Sequence, residues 1–338
     1  MTRVIFLGGL GRSGTTLVER VLGEVPGVCA LGEVVHLWQR DLRDDEKCGC
    51  GVPFSGCDFW ERVGIAAFGG WHRVDVHRVL ALRALVERTR HIPRLATRVP
   101  AGYADLVQEY AEYYGRVYAA AANVSGASVV VDSSKHSALA HVLRYARSSI
   151  DLRVVHMVRD ARGVAYSWTK RVRRPEAADA EMTRYSPARS ALLWTAHNAA
   201  FGLLQRRGVA VRRLRYEEFL DDPVASVRRL VAFAGLDPSA VDLSWLGHDH
   251  VTLGVSHSAA GNPMRFTSGR VALRRDEEWR TRLAPRQRAV VSAVCAPMLR
   301  AYGYPLAAPP AVPPAASPPA PPAGPVADPV AESEEVAA

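Results

Sequence analysis

Short apolar runs rich in valine, isoleucine and leucine alternate along this chain with longer stretches whose apolar residues recur every three or four positions. The runs at 3–7, 128–131, 152–158 and 209–214 read as strands, the later ones hydrophobic enough to be buried on both faces. Segment 15–24 sets Leu17, Val18, Val21, Leu22 and Val25 on one side of a helix. Segments 104–122, 137–147, 161–172, 186–207 and 223–234 carry the same helical period, and no internal repeat is found. Strands separated by helices need right-handed crossovers, so the expected fold is α/β, a three-layer arrangement with a central, mostly parallel sheet flanked by helices. Ligands of such sheets sit beyond the carboxyl ends of the strands, so chemistry is sought just after each strand.

Composition trims the picture at both ends. Of the 338 residues, 306–338 are mostly proline and alanine with a few acids and no arginine or lysine, and read as a disordered tail. The folded domain is therefore expected to span 1–305. No run approaches the ~18 uninterrupted apolar residues of a membrane helix. The first apolar run enters a glycine loop directly, with no cleavage-type segment, so the expected location is cytoplasmic. The net charge is +9, from 43 basic and 34 acidic residues, which suits an anionic ligand. The basic residues alternate with apolar ones and form no tail, so no nucleic-acid partner is expected. Lys47, Lys135 and Lys170 are the only lysines, so a lysine at a strand end is conspicuous.

The first such end carries Gly8-Gly9-Leu10-Gly11-Arg12-Ser13-Gly14-Thr15-Thr16 between a strand and a helix. Glycines let successive N–H groups converge on an anion, and the helix N-terminus adds about half a positive charge. Ser13, Thr15 and Thr16 offer hydroxyl donors. This is a P-loop-like phosphate cradle. A nucleotide kinase would carry lysine directly after Gly14; here Thr15 stands there, and the cation is Arg12, inside the loop. Phe6 to Thr16 resembles the 5′-phosphosulfate loop of the sulfotransferases, particularly their tyrosylprotein and bacterial branches. That resemblance implies that Gly11, Arg12, Ser13, Gly14, Thr15 and Thr16 bind the 5′ end of 3′-phosphoadenosine 5′-phosphosulfate (PAPS). It also implies that Glu33, in Leu31-Gly32-Glu33, is the general base, with His36 as its rival.

Further strand ends extend the resemblance. Val129-Val130-Val131-Asp132 runs into Ser133-Ser134-Lys135. Asp132 taken alone suits a magnesium-holding kinase carboxylate, whereas Lys135 resembles the sulfotransferase lysine set against the bridging oxygen of the donor. After 152–158 comes Arg159, with Ser167 eight residues on, similar to the family's 3′-phosphate motif. A guanidinium offers a bidentate fork and a hydroxyl a further donor; Arg162, one turn later, adds charge. Tyr216 resembles a nucleotide-contacting tyrosine. Arg265, in the Gly261-Asn262-Pro263-Met264-Arg265-Phe266 loop, is expected to close over the 3′-phosphate, with Arg270 and Arg274 as substitutes.

Other clusters are set aside. Cys48, Cys50 and Cys57 could hold zinc if His36 or His72 gave a fourth ligand, but the spacing fits no standard two-pair pattern, so no metal is assigned. His156 reads as core. Tyr103, Tyr110, Tyr113, Tyr114 and Tyr118 read as packing residues rather than acceptor contacts, and the acceptor pocket is expected within 37–125 and 172–200. The resulting expectation is sulfuryl transfer from PAPS to a small-molecule or glycan acceptor. A P-loop kinase and a non-catalytic nucleotide-binding protein are the rivals.

Overall fold

Alternate residues of the first strand, β1 (Thr2–Gly8), feed two separate cores: Val4 and Phe6 point into one, Ile5 and Leu7 into the other. The computed structural model describes residues 1–97, 99–174 and 177–307, so all but the first two residues of the expected tail lie outside the described residues. β1 is the central strand of a five-stranded sheet completed by β2 (Val28–Ala30), β3 (Val129–Lys135), β4 (Ile150–Val158) and, after a hairpin of β5 (Arg173–Arg174) and β6 (Ala177–Glu181), β7 (Ala210–Arg215). The order is β2-β3-β1-β4-β7 and every pairing is parallel, with Val4 opposite Val130 on one side and Leu152 on the other. A second hairpin, β8 (His250–Leu253) with β9 (Gly269–Ala272), stands outside the sheet. The expected α/β fold is the one observed.

Twelve α-helical segments lie among the described residues. In chain order they are α1 (Thr15–Gly23), α2 (Asp58–Phe68), α3 (Val76–Val86), α4 (Ile92–Leu95), α5 (Ala101–Ser125) and α6 (Ser137–Leu143). Then come α7 (Ala161–Thr169), α8 (Pro187–Arg206), α9 (Tyr216–Asp221), α10 (Pro223–Phe233), α11 (Trp279–Arg282) and α12 (Pro285–Ala301). On one face of the sheet, Val117, Tyr118 and Ala121 of α5, Leu139 of α6 and Phe201 of α8 cover Val4, Phe6, Val130 and Val154. On the other, Val18 and Val21 of α1 with Val227, Leu230 and Val231 of α10 cover Ile5, Leu7, Val131 and Met157. Each of the Val, Leu, Ile, Phe and Met side chains among them contributes about 1.5–3 kcal/mol by leaving water, which is what forces the three layers together. Helix starts follow the chemistry of the sequence. Ser186 and Asp222 each precede a proline and accept a main-chain N–H three residues on, from Arg189 and Ala225. None of the helices among the described residues is long and apolar enough to cross a membrane.

Three departures matter for the site. β3 runs through the polar residues 132–135, which the sequence pattern puts in a loop, and carries Lys135 to its tip at φ +67°. α7 ends at Thr169 rather than 172, because the β5–β6 hairpin follows. β2, α2, α3 and α12 escape the periodicity: β2 has three residues, and α12 buries only Val291, Cys295 and Leu299, too thin a stripe to read.

Candidate active site

The carboxyl ends of β1, β3, β4 and β7 open into one cleft of about 1080 Å³, and Arg12, Lys135, Arg159 and Tyr216 all line it. The loop after β1 turns into α1 through left-handed residues, Arg12 at φ +75° and Gly14 at φ +86°. A Cβ on Gly14 would come within 2.3 Å of the Tyr216 ring, so the loop and β7 meet only because that residue is glycine. The indole of Trp168 donates to the carbonyl of Gly11 at 3.0 Å and lies 5.4 Å from the Arg12 guanidinium. Burial presses the Arg12 pKa down while the charge of Glu33 opposes it. Among the described residues, Arg12 Nε and Thr15 Oγ1 are buried with no hydrogen-bond partner, although Arg12 Nη2 reaches the Met182 sulfur at 3.3 Å. A cation and a hydroxyl left in that state fit an anion bound on the loop. Gly11, Thr15 and Thr16 line the cleft with them; Ser13, expected as a hydroxyl donor, is buried and does not.

Lys135 Nζ is ion-paired with Glu33 Oε1, and both side chains are only 13% exposed. Glu33 is held by its main chain: its N–H donates to Ala259 O at 3.0 Å, and Gly261 (φ +114°) passes so close that a Cβ there would lie 2.6 Å from Glu33 Oε1. His36 Nε2 stands 3.7 Å from Glu33 Oε2. Burial first, then the charges of His136, Arg83, Arg40 and Lys135, push the His36 pKa well below its ordinary value. The ring of His36 meets His136 edge-on, and His136 Nδ1 lies 2.7 Å from Glu87 Oε1. Glu87, a buried carboxylate also held by Arg83 (3.0 Å) and the Tyr110 hydroxyl (3.1 Å), has no local motif around it and was not foreseen.

At the other end, Arg159 donates to Arg12 O at 3.2 Å and to Asp276 O at 2.9 Å, and its guanidinium lies 4.9 Å from the Tyr216 ring centre. Ser167 lines the same cleft. Asp276 also pairs with Lys170 at 3.2 Å. Trp168, Met182 and Arg274 also line the cleft, and Asp276 pairs with Arg159 at 3.4 Å; sequence reasoning missed these or left them as substitutes. Two expected cations lie elsewhere. Arg265 is 1% exposed, does not line the cleft, and its charge faces Asp41; Arg274 is the arginine of the 262–278 segment that faces the cavity. Arg162 is likewise 1% exposed, held by Asp160 at 2.6 and 2.9 Å and donating to the carbonyls of Pro305 and Leu306. It ties the start of α7 to residues 305 and 306.

The kinase carboxylate is also spoken for. Asp132 is fully buried, accepts from Tyr118 at 2.5 Å and from the Ser134 amide at 2.7 Å, and does not line the cleft. Burial raises its pKa to about 6. Tyr110, Tyr114 and Tyr118 are core residues, as their spacing implies, and His156 is buried. The thiols of Cys48, Cys50 and Cys57 do converge, and the imidazole beside them is His257 rather than His36 or His72.

The sulfotransferase domain family matches residues 2–303 of the chain. Among solved structures, it is similar to the sulfotransferase domain of the olefin synthase of Synechococcus PCC 7002, at 18% identity over 90% of this chain and 95% of that one (TM-score 0.49). It is similar also to the sulfotransferase domain from the curacin biosynthetic pathway, at 14% identity over 90% and 99% of the two chains (TM-score 0.47). A sulfotransferase of Mycobacterium tuberculosis H37Rv aligns at 17% identity over 70% and 68% (TM-score 0.37). No curated protein matches the chain.

Proposed function

The chain belongs to the sulfotransferase family, and on that premise we propose that it moves a sulfuryl group from PAPS to a hydroxyl or amine acceptor by in-line displacement at sulfur. One observation carries this reading: Arg12 with its loop and Arg159 with Ser167, far apart in sequence, line a single cleft. The amides of the 11–14 loop, Arg12, Thr15 and Thr16 would hold the 5′-phosphosulfate. Arg159, Ser167 and Arg274 would hold the 3′-phosphate, the group that tells PAPS from ATP. Tyr216, packed between Gly14 and Arg159, sets the distance between the two pockets.

PAPS supplies a sulfuryl group already activated by its bond to phosphate. Glu33 takes the acceptor proton as the acceptor atom attacks sulfur. Lys135 and Arg12 stabilise the charge that grows on the departing phosphate oxygens, and preorganised donors of this kind are worth about 3–4 kcal/mol each. Before the donor arrives Lys135 and Glu33 hold one another, so a phosphate that draws Lys135 across also releases Glu33 toward the acceptor. His36, whose protonated form burial disfavours, is the poorer base. The wall beyond Glu33 presents Arg83, Glu87, Arg88, His136 and His197, a polar surface suited to a hydroxylated small molecule or sugar.

A kinase on the same loop would need a lysine at position 15 and an accessible carboxylate for magnesium; Thr15 and the buried Asp132 provide neither. The deciding experiment is calorimetry with adenosine 3′,5′-bisphosphate against ATP–magnesium, followed by transfer from ³⁵S-labelled PAPS to a panel of hydroxyl and amine acceptors. Tight binding of the bisphosphate and labelled product support the reading; preference for ATP–magnesium, or no transfer to any acceptor, overturns it.

A further inference from the structure

Away from the cleft, four soft donors from two distant parts of the chain meet. The sulfurs of Cys48, Cys50 and Cys57 and a ring nitrogen of His257 all lie within 4.8 Å of one another. Cys50 Sγ is 3.8 Å from Cys57 Sγ, and His257 Nδ1 is 3.2 Å from Cys57 Sγ and 3.9 Å from Cys48 Sγ. Ligands of a tetrahedral zinc, at ~2.3 Å for sulfur and ~2.0 Å for nitrogen, stand about 3.8 Å apart for a sulfur pair and about 3.5 Å for sulfur and nitrogen. The observed spacings fall around those values.

The surroundings are built for such a group. Cys48 and Cys57 are buried, and Cys50 and His257 half-buried, so the four donors close on one another under a partial cover. The main-chain amides of Cys50 and Trp60 point at the sulfurs of Cys48 and Cys57, donors that temper thiolate charge. Gly49, between the first two cysteines, is pressed against the 256–258 backbone, where a Cβ would come 2.9 Å from Ser256 O and 3.0 Å from Ser258 N. The ring of Phe59 stacks on His257 at 5.1 Å, and Trp60 Nε1 donates to the His257 carbonyl at 2.8 Å.

We infer that Cys48, Cys50, Cys57 and His257 form a structural zinc site of the three-cysteine, one-histidine class. All four positions are filled by protein, which leaves no open position for chemistry. Binding Zn²⁺ releases the three thiol protons to solvent and changes no oxidation state. The ion joins the 48–57 loop to the segment beginning at His257. That segment is bonded to the stretch after β2 that bears Glu33, through Ala259 N to Leu31 O (2.7 Å) and Glu33 N to Ala259 O (3.0 Å). The metal thereby braces the wall behind Glu33, and the inference uses none of the residues assigned to the donor.

The test is the metal content of the full chain, purified without a metal-affinity step or chelator. Elemental analysis should find about one zinc per chain, and absorption at the zinc edge about three sulfurs and one nitrogen in the first shell. Cys57→Ser and His257→Ala should weaken zinc binding by more than the roughly 10–100-fold that an outer-shell change costs. Should either variant fold poorly, His257→Cys keeps a fourth soft ligand and should retain the metal. Protein that holds no stoichiometric zinc and takes up none when zinc is added overturns the inference. So does a Cys50–Cys57 disulfide in freshly prepared protein.

Discussion

The guanidinium of Arg159 donates to the main-chain carbonyl of Arg12 at 3.2 Å, joining the tip of β4 to the glycine loop after β1. The same guanidinium faces Tyr216, whose ring fills the space a side chain at Gly14 would need. The two pockets proposed for the ends of the donor are thereby held at a set separation by neighbouring parallel strands.

Arg159→Ala removes the fork expected to hold the 3′-phosphate. Hydrogen bonds to charged groups are worth about 1.5–3 kcal/mol each, so affinity for adenosine 3′,5′-bisphosphate should fall at least about 100-fold. Calorimetry checks this, with circular dichroism to confirm the fold. An unchanged affinity would remove Arg159 from the donor site.

Glu33→Gln keeps the shape of the side chain and removes its capacity to accept a proton. The turnover rate should drop by roughly 10²–10⁴ while bisphosphate affinity stays close to wild type. His36→Asn should cost much less. A larger loss at His36 than at Glu33 in steady-state kinetics would reverse the two roles.

Gly14→Ala places a methyl group against the Tyr216 ring at a residue with φ +86°. The left-handed backbone alone costs about 1–2 kcal/mol, and the displaced ring disturbs the Arg159 contact as well. Lower thermal stability together with weakened bisphosphate binding is expected; normal binding would mean that the loop tolerates a different course.

His156 gives a stability prediction independent of catalysis. Asn198 Nδ2 donates to Trp194 O at 2.7 Å, so its Oδ1 faces His156 and accepts from Nε2 at 2.6 Å, which fixes the neutral tautomer. Burial lowers the His156 pKa to about 4; the Asn198 contact opposes this and Arg213 adds to it. The unfolded chain protonates near pH 6.5, so the stabilising contribution is complete above that pH and is lost as pH falls toward 4. The loss amounts to up to about 3 kcal/mol. His156→Gln should show a correspondingly shallower decline in urea midpoint between pH 7 and 4. Because Glu19 and Asp41, both raised to about 7 by burial, titrate in the opposite direction, the difference between variant and wild type is the quantity to read. Parallel profiles would show that His156 does not carry the effect.

The α/β layering, the glycine loop between β1 and α1 and the two strand-end cations Lys135 and Arg159 were legible in the chain because each is a local pattern. A short run of Val, Ile and Leu residues specifies a buried strand, a helical stripe specifies its partner, and the residues after a buried strand must emerge at its carboxyl end. Arg265 and Arg162 looked as eligible as Arg274 and Arg159 by type and spacing. What separated them was burial, of Arg265 beside Asp41, more than 200 residues earlier, and of Arg162 beneath the carbonyls of Pro305 and Leu306, more than 140 residues later, and such distant partners leave no local trace.

Glu87 beside His136, and His257 beside three cysteines some 200 positions earlier, were decided by tertiary structure for the same reason. Sequence determines which elements form and what chemistry they carry, since φ/ψ preference and hydrophobic period act over a few residues. Which side chains then share a site depends on how the layers close over one another, a balance of packing across the whole core that no short segment contains.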